Sequence, residues 1–209
     1  MFIQTESTPN PNTLKFIPGV EVMPGGTADF ANEEASHASP LAEALFNISD
    51  VARVFYGSDF ITVTKKEDAD WPLIKPVILT TIMEHFVAGL PLMKADKDAK
   101  FSAHNTINEN DSDLVKQIKE LIDTRVRPAV AEDGGDIVYR GFENGVVRLE
   151  LHGACSGCPS STATLKQGIE NMLKHYVPEV IAVEAVPEGG EFSEGGHDHG
   201  HVHSDSCNH

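Results

Sequence analysis

Two cysteines separated by two residues, Cys155 and Cys158, are the side chains of this sequence best suited to chemistry. They lie in the run HGACSGCP at residues 152–159, between a stretch that alternates like a strand and one with the apolar spacing of a helix. The unpaired N–H groups and partial positive charge of a helix N-terminus favour thiolate over thiol. Such a turn therefore offers two thiolates close together, which suits half of a site for a soft metal centre.

Spacing alone leaves three chemistries open for this pair. A thioredoxin-like dithiol also places a CxxC motif between a strand and a helix, but here the preceding element is predicted to be an antiparallel hairpin. Structural zinc usually takes four ligands, and an iron–sulfur cluster is held by cysteine thiolates, commonly four, whereas one chain brings two. Zinc would need histidines or a second chain. Among the three, we favour the iron–sulfur cluster.

A helix and a tight turn are predicted before the cysteines. Ser112 is suited to cap a helix whose apolar positions fall on one face, and these positions are Leu114, Ile118, Leu121 and Ile122. Pro128 is predicted to end this helix or to start a turn, because proline lacks the N–H that a helix interior needs. The run DGGD at residues 133–136 then predicts a tight turn.

Strands and a second helix frame the cysteine turn. Residues 137–142 and 146–151 alternate as strands, and Asn144-Gly145 between them is a strong hairpin signal. A helix is predicted after Pro159, which suits a first helical position because its missing N–H would be unbonded there. Residues 180–186 are predicted as a third strand. This half of the chain is therefore predicted to be a three-stranded sheet packed with two main helices.

The first half of the chain has a compact α+β pattern and contains no cysteine. Short β-prone runs flank the turn-rich PNPN at residues 9–12. A helix is predicted to start at Ser39-Pro40, and a second at Trp71-Pro72. Between them, residues 51–56 and 60–64 are predicted to form a hairpin.

Shifts in composition divide the chain into four segments. Residues 1–92 form a first domain, and the polar, amide-rich residues 93–111 form a linker. Residues 112–187 form a second domain, and residues 188–209 are a tail of Gly, Glu and His that is expected to be disordered. The predicted fold class is α+β, with two small domains followed by the His-rich tail.

The charge balance excludes some classes of partner. The chain has 32 Asp and Glu against 16 Lys and Arg. This argues against sequence-independent binding of nucleic acid, which needs clustered basic residues, and against docking on an anionic membrane. No secretory signal or Arg-rich amphipathic start is visible after Met1. We therefore expect a bacterial cytoplasmic protein, with the mitochondrial matrix as the alternative.

Histidines outside the cysteine turn fall into two groups. His37 and His85 are isolated, and each is predicted to be exposed or satisfied rather than a ligand. The tail is dense in side chains able to chelate zinc, nickel or copper, which are His197, His199, His201, His203, His209 and Cys207. A solvated acidic tail and a secondary metal site, centred on the alternating histidines, both fit this pattern. The tail thus keeps open a zinc- or nickel-handling role.

Several runs of this sequence strongly resemble the NifU/Nfu family of iron–sulfur proteins. Residues 126–128 (VRP), 133–136 (DGGD) and 153–159 (GACSGCP) are similar to the C-terminal domain of that family. Residues 2–16, from FIQT through PNPNTLKF, resemble the opening of the Nfu N-terminal domain. The resemblance covers most of the chain in the family's order, but the tail from Gly189 onwards is not part of it.

The resemblance implies a function for the cysteine pair. The family binds a [4Fe-4S] cluster across two chains through its CxxC motif, which carries over to Cys155 and Cys158 as the iron ligands. It delivers the cluster to apo-proteins, receives it from an upstream assembly scaffold, and uses an N-terminal domain without ligands in partner recognition. A carrier that forms a homodimer around its cluster, and not an enzyme, is therefore expected. The alternative is a thiol–disulfide oxidoreductase.

Polar residues near the cysteine turn are given structural rather than chemical roles. Asp133 and Asp136 could assist ligand exchange, but Asp and Gly in such a run most often shape a turn. His152 could be a transient ligand, although a histidine at a strand end is more often structural or exposed. Arg127 is expected to compensate the carbonyl groups at a helix end.

Overall fold

A computed structural model of the chain describes residues 2–24, 26–94, 107, 111–156 and 159–187, with the side chains of residues 159–161 excepted. Cys158, most of the predicted linker 93–111 and the predicted disordered tail 188–209 lie outside the described residues. The described residues confirm the predicted α+β class. Among them, no helix combines the length and apolar character needed to cross a membrane. We refer to residues 2–94 as the N-terminal block and to residues 111–187 as the C-terminal block.

The N-terminal block is an antiparallel sheet with two main helices. Its strands follow the order β1-β2-β5-β4-β3, and the pairs among them are antiparallel. The elements are β1 (Gln4–Ser7), β2 (Thr13–Ile17), β3 (Ala28–Phe30), α1 (Glu33–Ser36), α2 (Pro40–Phe46), β4 (Val51–Tyr56), β5 (Ile61–Lys65) and α3 (Trp71–Val87). The predicted hairpin and both predicted helix starts are confirmed, whereas β3 and α1 were not predicted.

The core of the N-terminal block explains why these elements form. Ser39 caps α2 by accepting a hydrogen bond from Ala42 N at 3.2 Å, and its hydroxyl also bonds the buried Tyr56 hydroxyl at 2.9 Å. The sheet and helices share one apolar cluster, whose largest fully buried members include Phe16, Leu41, Leu45, Ile61, Ile78 and Ile82. Burial of these side chains is the main stabilising term for the block.

The C-terminal block is a three-stranded sheet with helices before and after its hairpin, as predicted. Its elements are α4 (Asp113–Leu121), a π-helical turn (Ile122–Val126), α5 (Arg127–Glu132), β6 (Gly135–Glu143), β7 (Val146–Gly153), α6 (Pro159–Tyr176) and β8 (Ala182–Val186). β6 and β7 are antiparallel, and β8 pairs with β7 in parallel through the α6 crossover. The hairpin turn uses positive φ at Asn144 (51°) and Gly145 (81°), as its Asn-Gly sequence predicts.

The expectation that Pro128 ends the first helix is wrong. Ser112 caps α4 as predicted, by accepting a hydrogen bond from Val115 N at 3.3 Å. The helix then widens through the π-helical turn 122–126 and continues as α5, with Pro128 in the first turn of α5. A π-turn breaks the regular ladder of hydrogen bonds, so the missing N–H of proline is accommodated without ending the helix.

The two blocks have separate apolar cores. One cluster draws on buried residues between 16 and 82, and the other on buried residues between 118 and 183. The domain boundaries at residues 92 and 112 stay a prediction, because residues 95–106 and 108–110 lie outside the described residues.

Candidate functional site

The Cys155 turn lies where the sequence predicts it, between the end of a strand and the start of a helix. β7 ends at Gly153, which has a φ of 64°, and α6 begins at Pro159. Within the turn, the Ser156 hydroxyl donates to Gly153 O at 2.9 Å, and Thr162 Oγ1 from α6 donates to Cys155 O at 3.0 Å. The backbone on both sides of Cys155 is therefore fixed by short hydrogen bonds.

Cys155 itself is held as a buried thiol. Its side chain is 5% exposed, belongs to the apolar core of the C-terminal block and is not in a disulfide. Burial, followed by the negative charges of Asp133 and Asp136, raises its pKa to about 12. The expectation that the helix N-terminus favours the thiolate is thus wrong for Cys155 in this arrangement, because desolvation and the two carboxylates have the larger effect.

The glycines of the DGGD run let the start of β6 approach Cys155. Gly134 has a φ of 83°, which an L-amino acid with a side chain rarely adopts. A Cβ on Gly135 would lie 2.6 Å from Cys155 Sγ and 2.6 Å from His152 O. Gly135 therefore leaves the space that the cysteine sulfur occupies, and it is a positioning residue that sequence reasoning treated only as part of a turn.

The two aspartates of the run have different surroundings. Asp136 accepts two hydrogen bonds from Arg127, at 2.8 Å from Nε and 2.7 Å from Nη2, and both side chains are buried. Arg127 therefore pairs with Asp136, and with Asp123 at 3.3 Å, while its expected compensation of helix-end carbonyls stays a prediction. Asp133 lies beside Cys155, and its pKa is raised by burial and by the neighbouring Glu132 carboxylate.

His152 is a structural side chain, as expected for a strand-end histidine. It is buried, and its Nδ1 atom lies 3.0 Å from Asp29 Oδ2 in the N-terminal block. Its Nε2 atom lies 3.1 Å from Glu150 Oε1 but without hydrogen-bond geometry. The ring is thus enclosed by carboxylates of both blocks, which favours a structural role over a ligand role.

The N-terminal block contributes to the surroundings of Cys155, which sequence reasoning missed. Pro9 lines a small cavity together with Cys155, and the other lining residues are Asp133, Ala154 and Leu165. The volume of this cavity is about 20 Å³, which is room for about one water molecule. No spacing within the sequence could indicate that residues more than 140 positions apart meet here.

Neither His37 nor His85 joins this site, and the other candidate ligands lie outside the described residues. His37 is exposed and pairs with Glu43 at 2.9 Å, as an isolated surface histidine would. His85 is buried, and burial lowers its pKa. The tail histidines His197, His199, His201 and His203 lie outside the described residues, as does Cys158. Across residues 2–94 and 111–187, excluding the gaps named above, no group of three or more His, Cys, Asp or Glu side chains is arranged to hold a metal ion.

Comparison with known proteins covers both blocks. The chain matches the family model "Scaffold protein Nfu/NifU N terminal" over residues 3–89 and the model "NifU-like domain" over residues 118–184. It is 54% identical over 187 residues to a Drosophila persimilis protein named "NFU1 iron-sulfur cluster scaffold homolog, mitochondrial", covering 89% of this chain and 65% of that protein. The chain therefore spans slightly less than two thirds of the length of this fly relative.

The chain is also similar to a plant relative and, over part of its length, to a solved structure. The chain is 54% identical over 193 residues to "NifU-like protein 5, mitochondrial" of Arabidopsis thaliana, covering 91% of this chain and 70% of that protein. A solution structure of a NifU-like protein from Saccharomyces cerevisiae is similar over 46% of this chain and 87% of its own, at 26% identity and a TM-score of 0.40. A score this low adds nothing to the description of the fold.

Proposed function

Because this chain belongs to the NifU/Nfu family of iron–sulfur cluster scaffold proteins, we propose that it binds a [4Fe-4S] cluster through Cys155 and Cys158 and passes the cluster to apo-proteins. The cluster is cargo in this proposal, so the chain acts as a carrier and not as an enzyme. The observation that carries the proposal is the position of Cys155, a free thiol in the turn between β7 and α6. The motif residue Cys158 directly precedes α6 in sequence.

The ligand count requires a second chain. A cubane cluster commonly takes four thiolates, and the CxxC turn supplies two, Cys155 and Cys158. The third cysteine, Cys207, is 49 positions beyond Cys158 in the His-rich tail. Two chains that bring their CxxC turns face to face complete the coordination, so the cluster itself links a homodimer. A cluster shared between two chains can also leave by ligand exchange when a client protein offers its own cysteines.

The surroundings of Cys155 disfavour the alternative of a thiol–disulfide oxidoreductase. The attacking cysteine of such an enzyme needs an accessible thiolate of lowered pKa. Cys155 is instead buried, and its pKa is raised to about 12. A zinc- or nickel-handling role of the tail histidines is a separate function, and deletion of residues 189–209 followed by metal analysis tests it without touching the CxxC turn.

The proposed partners rest on the family, and the proposed compartment is supported by the names of the relatives. The cluster would come from an upstream assembly scaffold and go to apo iron–sulfur proteins. The similar proteins of Drosophila persimilis and Arabidopsis thaliana are both named mitochondrial, which favours the mitochondrial matrix as the site of action. The expectation of a bacterial cytoplasm has no support from these relatives.

The test combines cluster counting with the oligomeric state. The apo-protein is reconstituted anaerobically with iron and sulfide, and the same sample is analysed by iron and sulfide determination and by analytical ultracentrifugation. We expect four irons per two chains and a dimer in the holo-protein. Cys155→Ala and Cys158→Ala should each abolish both the cluster and the dimer, because each change removes two of the four ligands. Cys207→Ala is the matched control and should leave both intact. A stable holo-monomer with four irons would refute the shared cluster.

A further inference from the structure

The two blocks meet directly at the Cys155 turn. Asp29, in β3 of the N-terminal block, accepts hydrogen bonds from His152 Nδ1 at 3.0 Å and from Gly153 N at 3.0 Å. Burial alone would raise the pKa of Asp29, but the hydrogen bond from His152 and the charge of Arg53 hold it below its usual range. An ionised carboxylate of one block therefore fixes the backbone two residues before Cys155.

A lysine of the N-terminal block holds the other side of the site. Lys15 Nζ donates to Ala131 O at 2.9 Å and to Glu132 O at 3.2 Å, which are the last two residues of α5. A cation at the carbonyl end of a helix is favoured by both hydrogen bonding and the helix dipole. Because Asp133 and Gly134 follow α5 directly, this lysine fixes the start of the turn that approaches Cys155.

A loop of the N-terminal block lies over the Cys155 turn between these two anchors. The Asn10 side-chain amide donates to Ala154 O at 3.5 Å, and Pro9 lines the small cavity next to the Cys155 sulfur. A Cβ on Gly134 would lie 3.3 Å from Thr8 Cγ2. A cavity of about 20 Å³ cannot contain a cluster of eight iron and sulfur atoms. Residues 8–10 therefore occupy the surface that a second chain would need to reach Cys155.

The two carboxylates of this contact, Asp29 and Asp136, keep partners when the blocks separate. Asp29 also receives two hydrogen bonds from Arg53, at 2.8 Å and 2.7 Å, within its own block. Asp136, which accepts from Thr27 across the contact at 2.9 Å, keeps its two bonds to Arg127. Separation of the blocks therefore leaves neither carboxylate without a charged partner. An unpaired buried charge is what makes breaking a buried ion pair costly. Domains of one chain commonly move relative to one another unless the contact between them is large and hydrophobic.

We propose that the N-terminal block is an internal partner of the Cys155 turn, and that its surface around residues 8–10, Lys15 and Asp29 competes with the second chain for this turn. Cluster loading then requires the two blocks to separate, and loss of the cluster lets them close again over Cys155. The inference rests on the proposed function, because the competitor is the second CxxC turn. It gives the N-terminal block a defined role in shielding an empty cysteine turn.

The test measures the accessibility of the Cys155 thiol without any cluster. In a background of Cys158→Ser and Cys207→Ser, Cys155 is the one remaining thiol, and its modification by a maleimide is followed by mass spectrometry. Asp29→Ala removes the acceptor for two hydrogen bonds across the contact, and Lys15→Met removes the cap on α5. Each change removes hydrogen bonds to a charged group, so it should raise the fraction of molecules in which the two blocks are separated about tenfold or more. The labelling rate should rise by the same factor.

A matched control and a second readout separate this proposal from the proposed function. Glu43→Ala removes an exposed ion-pairing carboxylate of the same block, so its labelling rate should equal that of the parent. Melting curves identify a variant that fails to fold, and Lys15→Met then provides the result if Asp29→Ala is unfolded. With all cysteines restored, both interface variants should load iron and sulfide faster than the parent and to the same final content.

The outcomes distinguish the two ideas. Labelling rates of folded Asp29→Ala and Lys15→Met within twofold of the Glu43→Ala rate would overturn the internal-partner proposal, whatever the cluster content. Faster labelling with no cluster in any variant, the parent included, would uphold the closed contact but overturn the proposed function. Faster labelling together with faster loading is the result we expect.

Discussion

Replacement of Gly135 by alanine tests whether the DGGD run positions Cys155. The added Cβ would lie 2.6 Å from Cys155 Sγ and 2.6 Å from the main-chain oxygen of His152, whereas ordinary contacts of this kind lie at about 3.5–4.0 Å. The backbone oxygen cannot rotate away as a long side chain could, so the sulfur and the end of β7 must move. Overpacking of this type costs about 1–3 kcal/mol, and we expect a loss of that size in the free energy of unfolding.

The same strand provides the control. Gly141 also lies in β6, and a Cβ there would meet nothing within 4 Å. Gly141→Ala removes the same backbone freedom from the unfolded chain without a clash, so it should be neutral or stabilising by up to about 1 kcal/mol. The difference between the two variants therefore isolates the contact with the cysteine turn from the general effect of losing a glycine.

Urea unfolding of the apo-protein and iron content after reconstitution are the two measurements. We expect Gly135→Ala to be less stable than Gly141→Ala with a similar dependence on urea, and to hold less iron per chain because its Cys155 sulfur is displaced. If both variants unfold at the same urea concentration and bind the same amount of iron, Gly135 has no positioning role and the packing argument fails.

Three further outcomes are expected. Arg127→Ala should lower the free energy of unfolding by about 3–5 kcal/mol, because it leaves the buried Asp136 without its charged partner. Lys174→Ala breaks an exposed i,i+4 pair and should lower it much less in the same urea titration. Equal losses would count against a buried pair. In the single-thiol background, the rate of Cys155 alkylation should keep rising from pH 9.0 towards 12, because burial raises the pKa of this thiol from 9.0 to about 12. The contribution of this thiol to the stability of the folded state should be kept below pH 9.0 and lost as the pH rises further. A plateau in the alkylation rate near pH 9 would contradict the burial argument. Limited proteolysis should cut first between residues 94 and 113 and leave two stable fragments; an earlier cut within residues 112–187 would refute the division into two folding units.

Local signals in the sequence predicted most of the fold. The Asn144-Gly145 turn, the Ser39 and Ser112 caps and the start of α3 at Trp71 each depend on neighbours within a few positions, and the structure confirms them. The predictions failed where a local rule met a competing arrangement. Pro128 was expected to end a helix, but the π-helical turn before it provides another way to accommodate a missing N–H.

The chemistry of the site was less predictable than its location. The spacing of the cysteines correctly placed Cys155 between a strand and a helix, but the protonation of its thiol depends on burial and on Asp133 and Asp136. Likewise, the pairing of Arg127 with Asp136, nine positions away across a turn, was not predicted. Electrostatic effects of this kind depend on which side chains meet in space, and no periodicity in the sequence reports that.

The buried state of Cys155 is informative because it conflicts with the function proposed for it. A metal ligand must be a thiolate, yet the closed arrangement holds this cysteine as a thiol beneath residues 8–10 and beside two carboxylates. A cysteine that stays protonated and covered reacts slowly with oxidants and stray metal ions. If the N-terminal block moves away when a second chain arrives, the thiol gains solvent and a cluster at the same step. Because the buried thiol cannot act as a ligand, cluster binding would then be coupled to separation of the two blocks.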